Sequence, residues 1–187
     1  RLIEMLNSER RILDKQTTIQ AIEQIKKNGE EKSYTSVVYD NNWNKGIIGI
    51  VASRMIETYY RPTVVFTSSG EYLTGSVRSI NGIDIYAVLE SCKEHIISFG
   101  GHKYAAGLTI MENSFMKFKS AFEMAVKEKI VANDNMPTKY YDQEITFDKI
   151  TSKFHRILVQ MSPFGEGNPE PVFKTLTRIN SGGTTIV

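Results

Sequence analysis

Apolar residues along the 187-residue chain recur first at helical spacing and then, repeatedly, at strand spacing. The first 27 residues contain no Gly or Pro after Arg1 and carry apolar side chains at Leu2, Leu6, Leu13, Ile22 and Ile25. That pattern predicts a long amphipathic helix ended by Asn28-Gly29. At 1.5 Å per residue it spans about 40 Å, a length suited to a connector between domains. Residues 34–39 are rich in β-favouring types and predict a strand. A polar loop over 40–45 holds the one tryptophan, Trp43. Residues 46–60 turn helical, with Ile47, Ile50, Val51 and Met55 on one side. Gly49, Ala52 and Ser53 lie among them, small enough for close approach to a sheet. Arg61-Pro62 breaks the helix. Residues 63–67 then read as a buried strand, and 71–77 as a further strand after Ser68-Ser69-Gly70.

The alternation continues downstream. Asp84 is a plausible N-cap for a helix to about residue 98, with Ile85, Val88, Leu89, Cys92 and Ile96 on its apolar face. Phe99-Gly100-Gly101-His102 reads as a tight connection into a strand over 106–111. Asn113 or Ser114 opens a helix to about residue 131 that aligns Phe118, Phe122 and Ala125. A loop (133–138), a strand (140–147) and a helix (148–160) follow. Residues 162–171 are too dense in Gly and Pro for a regular element and read as a domain boundary. A strand over 171–179, a turn at Ser181-Gly182-Gly183 and a strand begun at Thr184 close the sequence. The fold class expected is α/β: a layered domain with a central mixed sheet flanked by helices, preceded by the connector helix. Nothing caps the first helix before Arg1 and the final strand has barely begun, so both ends read as cut from a longer chain.

Composition changes this picture little. Hydrophobic content of 41% and charged content of 24% suit a packed globular core. The net charge of +2 leaves a nucleic-acid partner to be decided by a local basic patch. Cys92 is the only cysteine, which excludes an intramolecular disulfide or a Cys-based zinc site and favours a reducing, cytoplasmic setting. No apolar run approaches the ~20 residues of a membrane span, and residues 1–11 do not form a signal peptide.

Three segments could carry chemistry. Gly100-Gly101-His102 offers backbone N–H groups that a ligand can approach closely, beside an imidazole. The same residues also fit a glycine C-cap with an incidental histidine. In Gly75-Ser76-Val77-Arg78-Ser79, alternation puts Ser76 and Arg78 on one face of a strand, where a hydroxyl and a guanidinium could grip one phosphate. A solvated arginine on an exposed edge is the simpler reading of the same residues. Asn42-Trp43-Asn44-Lys45-Gly46 ends at a helix start, which attracts anions. Trp43 is there either a base-stacking platform or a packing anchor. Lys103, beside Tyr104, could extend a basic surface. His95 and His155 lie within predicted helices. No Asp/His cluster has the spacing of a two-metal nuclease, and no catalytic triad or phosphate-binding loop ending in Gly-Lys-Ser/Thr is present.

Together these segments resemble the bacterial RecJ exonucleases. Gly46-Ile47-Ile48-Gly49-Ile50-Val51-Ala52-Ser53-Arg54 is similar to that family's signature helix, and Tyr60-Arg61-Pro62-Thr63 follows it. Gly75-Ser76-Val77-Arg78-Ser79, then Phe99-Gly100-Gly101-His102 with Ala105-Ala106-Gly107, match its further motifs in order. The glycine-glycine-histidine motif is shared by many DHH-superfamily phosphoesterases. Ser162-Pro163-Phe164-Gly165-Glu166-Gly167-Asn168-Pro169-Glu170-Pro171 resembles the RecJ junction with an OB fold.

The resemblance implies a connector helix over 1–28, a DHH-associated substrate-binding domain over 30–160, and a linker with the first strands of an OB fold over 161–187. It implies Mn²⁺ or Mg²⁺ bound by a DHH domain that these residues do not include, single-stranded DNA as partner, and 5′→3′ digestion in recombination and repair. It assigns phosphate binding to Ser76, Arg78, Ser79, Gly100, Gly101 and His102, with further nucleic-acid contacts at Trp43, Asn44, Lys45 and Lys103. Asn44 stands where the family commonly has His, and cannot bear charge. A phosphoesterase acting on short RNA or cyclic dinucleotides, and a non-catalytic nucleic-acid-binding module, remain alternatives.

Overall fold

The computed structural model describes residues 2–133, 140–165, 167–176, 179–181 and 184–186. The expected loop at 134–138, the turn at Gly182-Gly183, and Arg1, Glu166 and Val187 lie outside the described residues. Two compact units are formed, Arg1–Met136 and Pro137–Val187.

The first unit begins with α1 (Leu2–Lys27). Strand β1 (Ser36–Tyr39), helix α2 (Ile48–Tyr59) and strand β2 (Thr63–Ser69) then make a β–α–β unit with β1 parallel to β2. A parallel pair needs a crossover, and α2 supplies it. Gly70, at a φ of 65°, turns the chain back into β3 (Tyr72–Arg78), antiparallel to β2. The Asp84 side chain accepts from the N–H groups of Tyr86 and Ala87 and caps α3 (Ile85–Ser91) as expected. Strands β4 (Ser98–His102) and β5 (Ala105–Met111) come next, then α4 (Phe115–Asn133). The sheet order is β1-β2-β3-β5-β4, a mixed sheet.

Two expectations fail here. The helix after Asp84 ends at Ser91 rather than near 98, with only a 3₁₀ turn (Lys93–His95) beyond it. Phe99-Gly100-Gly101-His102 is not a tight connection but part of strand β4, paired with β5 from Ser98↔Thr109 to His102↔Ala105. The turn falls at Lys103-Tyr104 instead. Glycine pairs disguise a strand because they carry no alternation to read.

Alternation sorts the strand residues into two layers. Val37, Val64, Phe66, Leu73, Val77, Ala106, Leu108 and Ile110 pack with Val88 and Leu89 of α3 and Phe118, Phe122 and Val126 of α4. The rings of Phe66 and Phe118 meet edge to face at 5.5 Å. The opposite layer is smaller: Val38 and Val65 meet Val51, Ala52 and Met55 of α2 and Ala21 and Ile25 of α1. Its strand residues come only from β1 and β2. On that same side β3, beside which α2 also runs, carries no buried residue, and neither do β5 and β4.

Helix α1 docks by a different stripe from the one its leucines suggest. Leu6 and Leu13 are exposed, whereas Asp14, Thr17, Ala21 and Ile25 are buried. Arg54 of α2 approaches Asp14 at 2.9 Å, a charge contact not aligned as a hydrogen bond. Gln24 accepts from the N–H of Tyr39 at 3.1 Å and donates to its carbonyl at 3.0 Å. One side-chain amide thus satisfies the free edge of β1 as a neighbouring strand would.

In the second unit, β6 (Gln143–Glu144) pairs in parallel with β7 (Phe173–Lys174). Thr151 caps α5 (Ser152–Gln160) by accepting from the N–H of Phe154. Strands β8 (Ile179–Ser181) and β9 (Thr184–Ile186) are antiparallel. The Asn168 amide donates to the carbonyls of Met161 and Pro163 and closes the Gly/Pro-rich loop. Because β6 pairs with β7, residues 140–160 group with the C-terminal segment, whereas the sequence places the domain boundary at 161.

The two glycines of β4 differ in what the fold demands. A Cβ on Gly101 would collide with the Ala105 carbonyl oxygen and lie 2.5 Å from Ala106 Cα, at a φ of 154°. A Cβ on Gly100 meets nothing within 4 Å. Gly101→Ala should therefore destabilise by about 1–3 kcal/mol and Gly100→Ala by less than about 0.5 kcal/mol. Urea unfolding followed by the fluorescence of buried Trp43 measures both; equal effects would contradict the packing described.

Candidate nucleic-acid interface

The register of β3, β5 and β4 arranges their side chains in cross-strand rows. Arg78 of β3 faces Ala105 of β5, which faces His102 of β4. The next row on the same side is Ser76, Gly107 and Gly100, and the one after it Thr74, Thr109 and Ser98. Neighbouring strands lie about 4.8 Å apart, so the outer members of a row are roughly 10 Å from each other. Small residues occupy the centre of the first two rows, which leaves a bare floor between the side chains of β3 and β4. A shallow depression of about 330 Å³ lies over this floor, lined by Thr74, Ser98, Gly100, Gly107 and Thr109 among others.

Arg78 is the prominent charge. Its Nη1 donates to Ser76 Oγ at 3.1 Å and to its neighbour's carbonyl, Val77 O, at 2.8 Å. Its Nη2 lies against Gly49 of α2: a Cβ there would sit 2.9 Å from Nη2 and 3.1 Å from Ser76 Oγ. Glycine within a helix costs about 1 kcal/mol relative to alanine, and the seat for the guanidinium accounts for its presence here. Among the described residues no carboxylate pairs with Arg78, and its Nε and Nη2 have no protein acceptor. A half-buried cation thus keeps three N–H donors, on two nitrogens, without an acceptor among the described residues. A guanidinium so disposed matches the planar, bidentate geometry of a phosphate.

The sequence-derived candidates divide on this geometry. Ser76, Arg78, Gly100 and His102 come together on this polar face, and His102 is exposed. Gly101 belongs to the opposite face, where it allows β4 to approach β5. Ser79 lies beyond the strand: its hydroxyl donates to Ile83 O at 2.9 Å and its N–H to Tyr104 O, which holds the 79–83 turn together. Lys103 sits in the β4–β5 turn with its ammonium 5.4 Å from the Tyr104 ring.

Trp43 requires a correction. It is 6% exposed, donates from Nε1 to Gln20 Oε1 at 2.9 Å, and packs in the α1–α2 layer. It is a packing anchor with no face for a base to stack on. Asn44 Oδ1 accepts from the N–H of Gly46 at 2.8 Å, a local turn that shapes the start of α2. Lys45 is exposed on the same loop and belongs to none of the three rows. The sequence named Gly107 only as part of a motif, and did not single out the hydroxyls of Thr74, Thr109 and Ser98. Their only signal is the strand register, which no single segment displays.

The described residues offer no group of three or more His, Cys, Asp or Glu side chains that could hold a metal ion. Burial pushes the Cys92 thiol up from its ordinary value, which makes it a poor nucleophile. What this face can do is bind an anion beside an open floor. No helix among the described residues is long and apolar enough to cross a membrane.

The chain is similar to known proteins in both sequence and structure. The DHHA1 domain family matches residues 31–128, and the RecJ OB domain matches residues 141–182. The single-stranded-DNA-specific exonuclease RecJ of Bacillus subtilis (strain 168) is 32% identical over 171 residues, covering 90% of this chain and 22% of that protein. RecJ of Haemophilus influenzae is 33% identical over 149 residues, covering 77% of this chain and 26% of that one. The crystal structure of Thermus thermophilus RecJ in complex with Mg²⁺ superposes with a TM-score of 0.76 at 28% identity, over 91% of this chain and 26% of that one. A manganese-bound exonuclease RecJ matches with a TM-score of 0.60 at 28% identity, over 70% of this chain and 32% of that one. The chain thus spans about a quarter of the length of these relatives. With a DHHA1 domain followed by a RecJ OB domain in the same order, the chain belongs to the RecJ proteins of the DHHA1 family.

Proposed function

We propose that this chain is the strand-gripping part of a single-strand-specific 5′→3′ DNA exonuclease acting in recombination and repair. In this reading the chain engages substrate phosphate, while the divalent ions and the residues that hold them lie in a part of the enzyme outside this sequence. The observation that carries the reading is the guanidinium of Arg78, which no carboxylate pairs among the described residues, seated on Gly49 beside a floor of Gly107 and Gly100. A salt bridge would neutralise such a cation; here Nε and Nη2 have no acceptor among the described residues, and Nη2 lies beside Gly49 of α2. The RecJ OB domain favours a strand over a dinucleotide as ligand, because OB folds track single strands. Ser76, Arg78, Gly100 and His102 would contact substrate. Gly101 and Ser79 would act on the shape of the site, and Lys103 would add charge at its rim.

Three outcomes are expected. The 187-residue chain should bind single-stranded DNA weakly, with affinity falling as salt rises, and should hydrolyse none of it in the presence of Mn²⁺. Fluorescence anisotropy and gel analysis of labelled oligonucleotides measure these; cleavage by the pure chain, or tighter binding of cyclic dinucleotides than of long single strands, would contradict the reading. Arg78→Ala should weaken binding by about tenfold or more and flatten the salt dependence by about 0.7 of a log-log unit, one phosphate's share for a single strand. Gly49→Ala should weaken binding severalfold by unseating the guanidinium, yet leave the urea midpoint unchanged or raised, since alanine is the better helix former.

A further inference from the structure

Beyond Arg78, the same face carries a second set of polar groups that the phosphate site does not use. Thr74, Thr109 and Ser98 form one cross-strand row on β3, β5 and β4. They line the depression over the glycine floor. None of the three hydroxyls has a hydrogen-bond partner among the described residues, although Thr74 and Thr109 are half-buried. Elsewhere in the same sheet, hydroxyls are engaged: Thr63 Oγ1 donates to Arg61 O at 3.0 Å and Thr67 Oγ1 to Trp43 O at 2.6 Å.

Spacing gives this row a meaning. Side chains on one face of a strand repeat about every 6.8 Å. A nucleotide contributes roughly twice the backbone bonds of an amino acid, so an extended nucleic-acid strand advances about two residues' worth of β-strand per nucleotide. One nucleotide therefore fits each row. A strand lying along β3, β5 and β4 would place one phosphate at Arg78, pass over Gly107 and Gly100, and reach Thr74, Thr109 and Ser98 about 13 Å further on. The floor must be bare for it to pass. A Cβ on Gly100 would meet no protein atom within 4 Å, and one on Gly107 only the Gly75 carbonyl at 3.9 Å. The fold does not require glycine at either position, although glycine weakens a strand interior.

We propose that Thr74, Thr109 and Ser98 form a neutral, hydroxyl-lined subsite for the backbone of a nucleotide about two steps from the phosphate held by Arg78. The inference rests on the phosphate-gripping reading and adds a length requirement to it. Hydroxyls bind a phosphodiester without releasing counterions in proportion to charge, so this subsite contributes affinity that is nearly independent of salt.

The test uses the whole 187-residue chain and 5′-phosphorylated thymidine oligonucleotides of one to six nucleotides. In the Thr74→Val, Thr109→Val, Ser98→Ala variant, oligonucleotides of three or more nucleotides should bind about tenfold more weakly. The mononucleotide should bind as to the parent chain, and the salt slope should be unchanged. Valine keeps the β-branched shape, so the strands are retained, and Trp43 fluorescence verifies folding. Should that variant fail to fold, Gly107→Ala alone supplies the test, since it raises the floor and should penalise only the longer oligonucleotides. Equal binding of all lengths by parent and variant overturns the subsite, and leaves the phosphate grip standing if Arg78→Ala still weakens every length. If Arg78→Ala is also without effect, both readings fall.

Discussion

Two elements decide what this surface can be: the pairing register of β5 between β3 and β4, and the shortness of the helical layer above it. Alternation alone sends Leu73 and Val77 inward and Ser76 and Arg78 to the other side. The register then brings His102, Gly100 and Ser98 into line with them across β5. A slip of one residue would exchange these side chains for buried ones, so the apolar layer of Phe66, Leu108, Phe118 and Phe122 holds the polar face in place from behind. The geometry of the polar face is a consequence of core packing.

The helical layer contributes as much by what it omits. Helices α1 and α2 bury Val38 and Val65 on β1 and β2, and no residue on this side of β3, β5 and β4 is buried, although α2 runs beside β3. At the boundary sits Gly49, whose missing side chain leaves room for the Arg78 guanidinium. A cation held by a hydroxyl and a carbonyl, with no carboxylate pairing with it among the described residues, is poised for an external anion. Arg61 offers a contrast: it is buried, it donates to Ser36 Oγ and to the carbonyls of Glu31 and Ser33, and burial pulls its pKa down. One arginine is used up by the fold, and the other is kept free.

Much of this was legible in the chain. The alternation through Leu73, Gly75 and Val77 places Ser76 and Arg78 together, and Asp84 announces its helix by the cap it forms. Other features were hidden for identifiable reasons. Gly100 and Gly101 have no side chains to reveal their strand, so only pairing with Gly107 and Ala106 exposes it. Leu6 and Leu13 suggested the buried stripe of α1, but the close approach to α2 is made by small and polar residues, from Asp14 to Ala21. Trp43 is claimed by Gln20, a partner 23 positions away that local pattern cannot disclose. The grouping of residues 140–160 depends on pairing with Phe173 and Lys174, still further away in sequence.

Nuclear magnetic resonance of the Arg78 side chain tests the central claim most directly. On titration of the isotope-labelled 187-residue chain with a 5′-phosphorylated single-stranded oligonucleotide, the Arg78 Nε–H resonance should shift and exchange more slowly with water. Backbone amides of β3, β4 and β5 should move with it at the same midpoint. An unmoved Arg78 resonance at saturation, with shifts confined to other parts of the chain, would contradict the account.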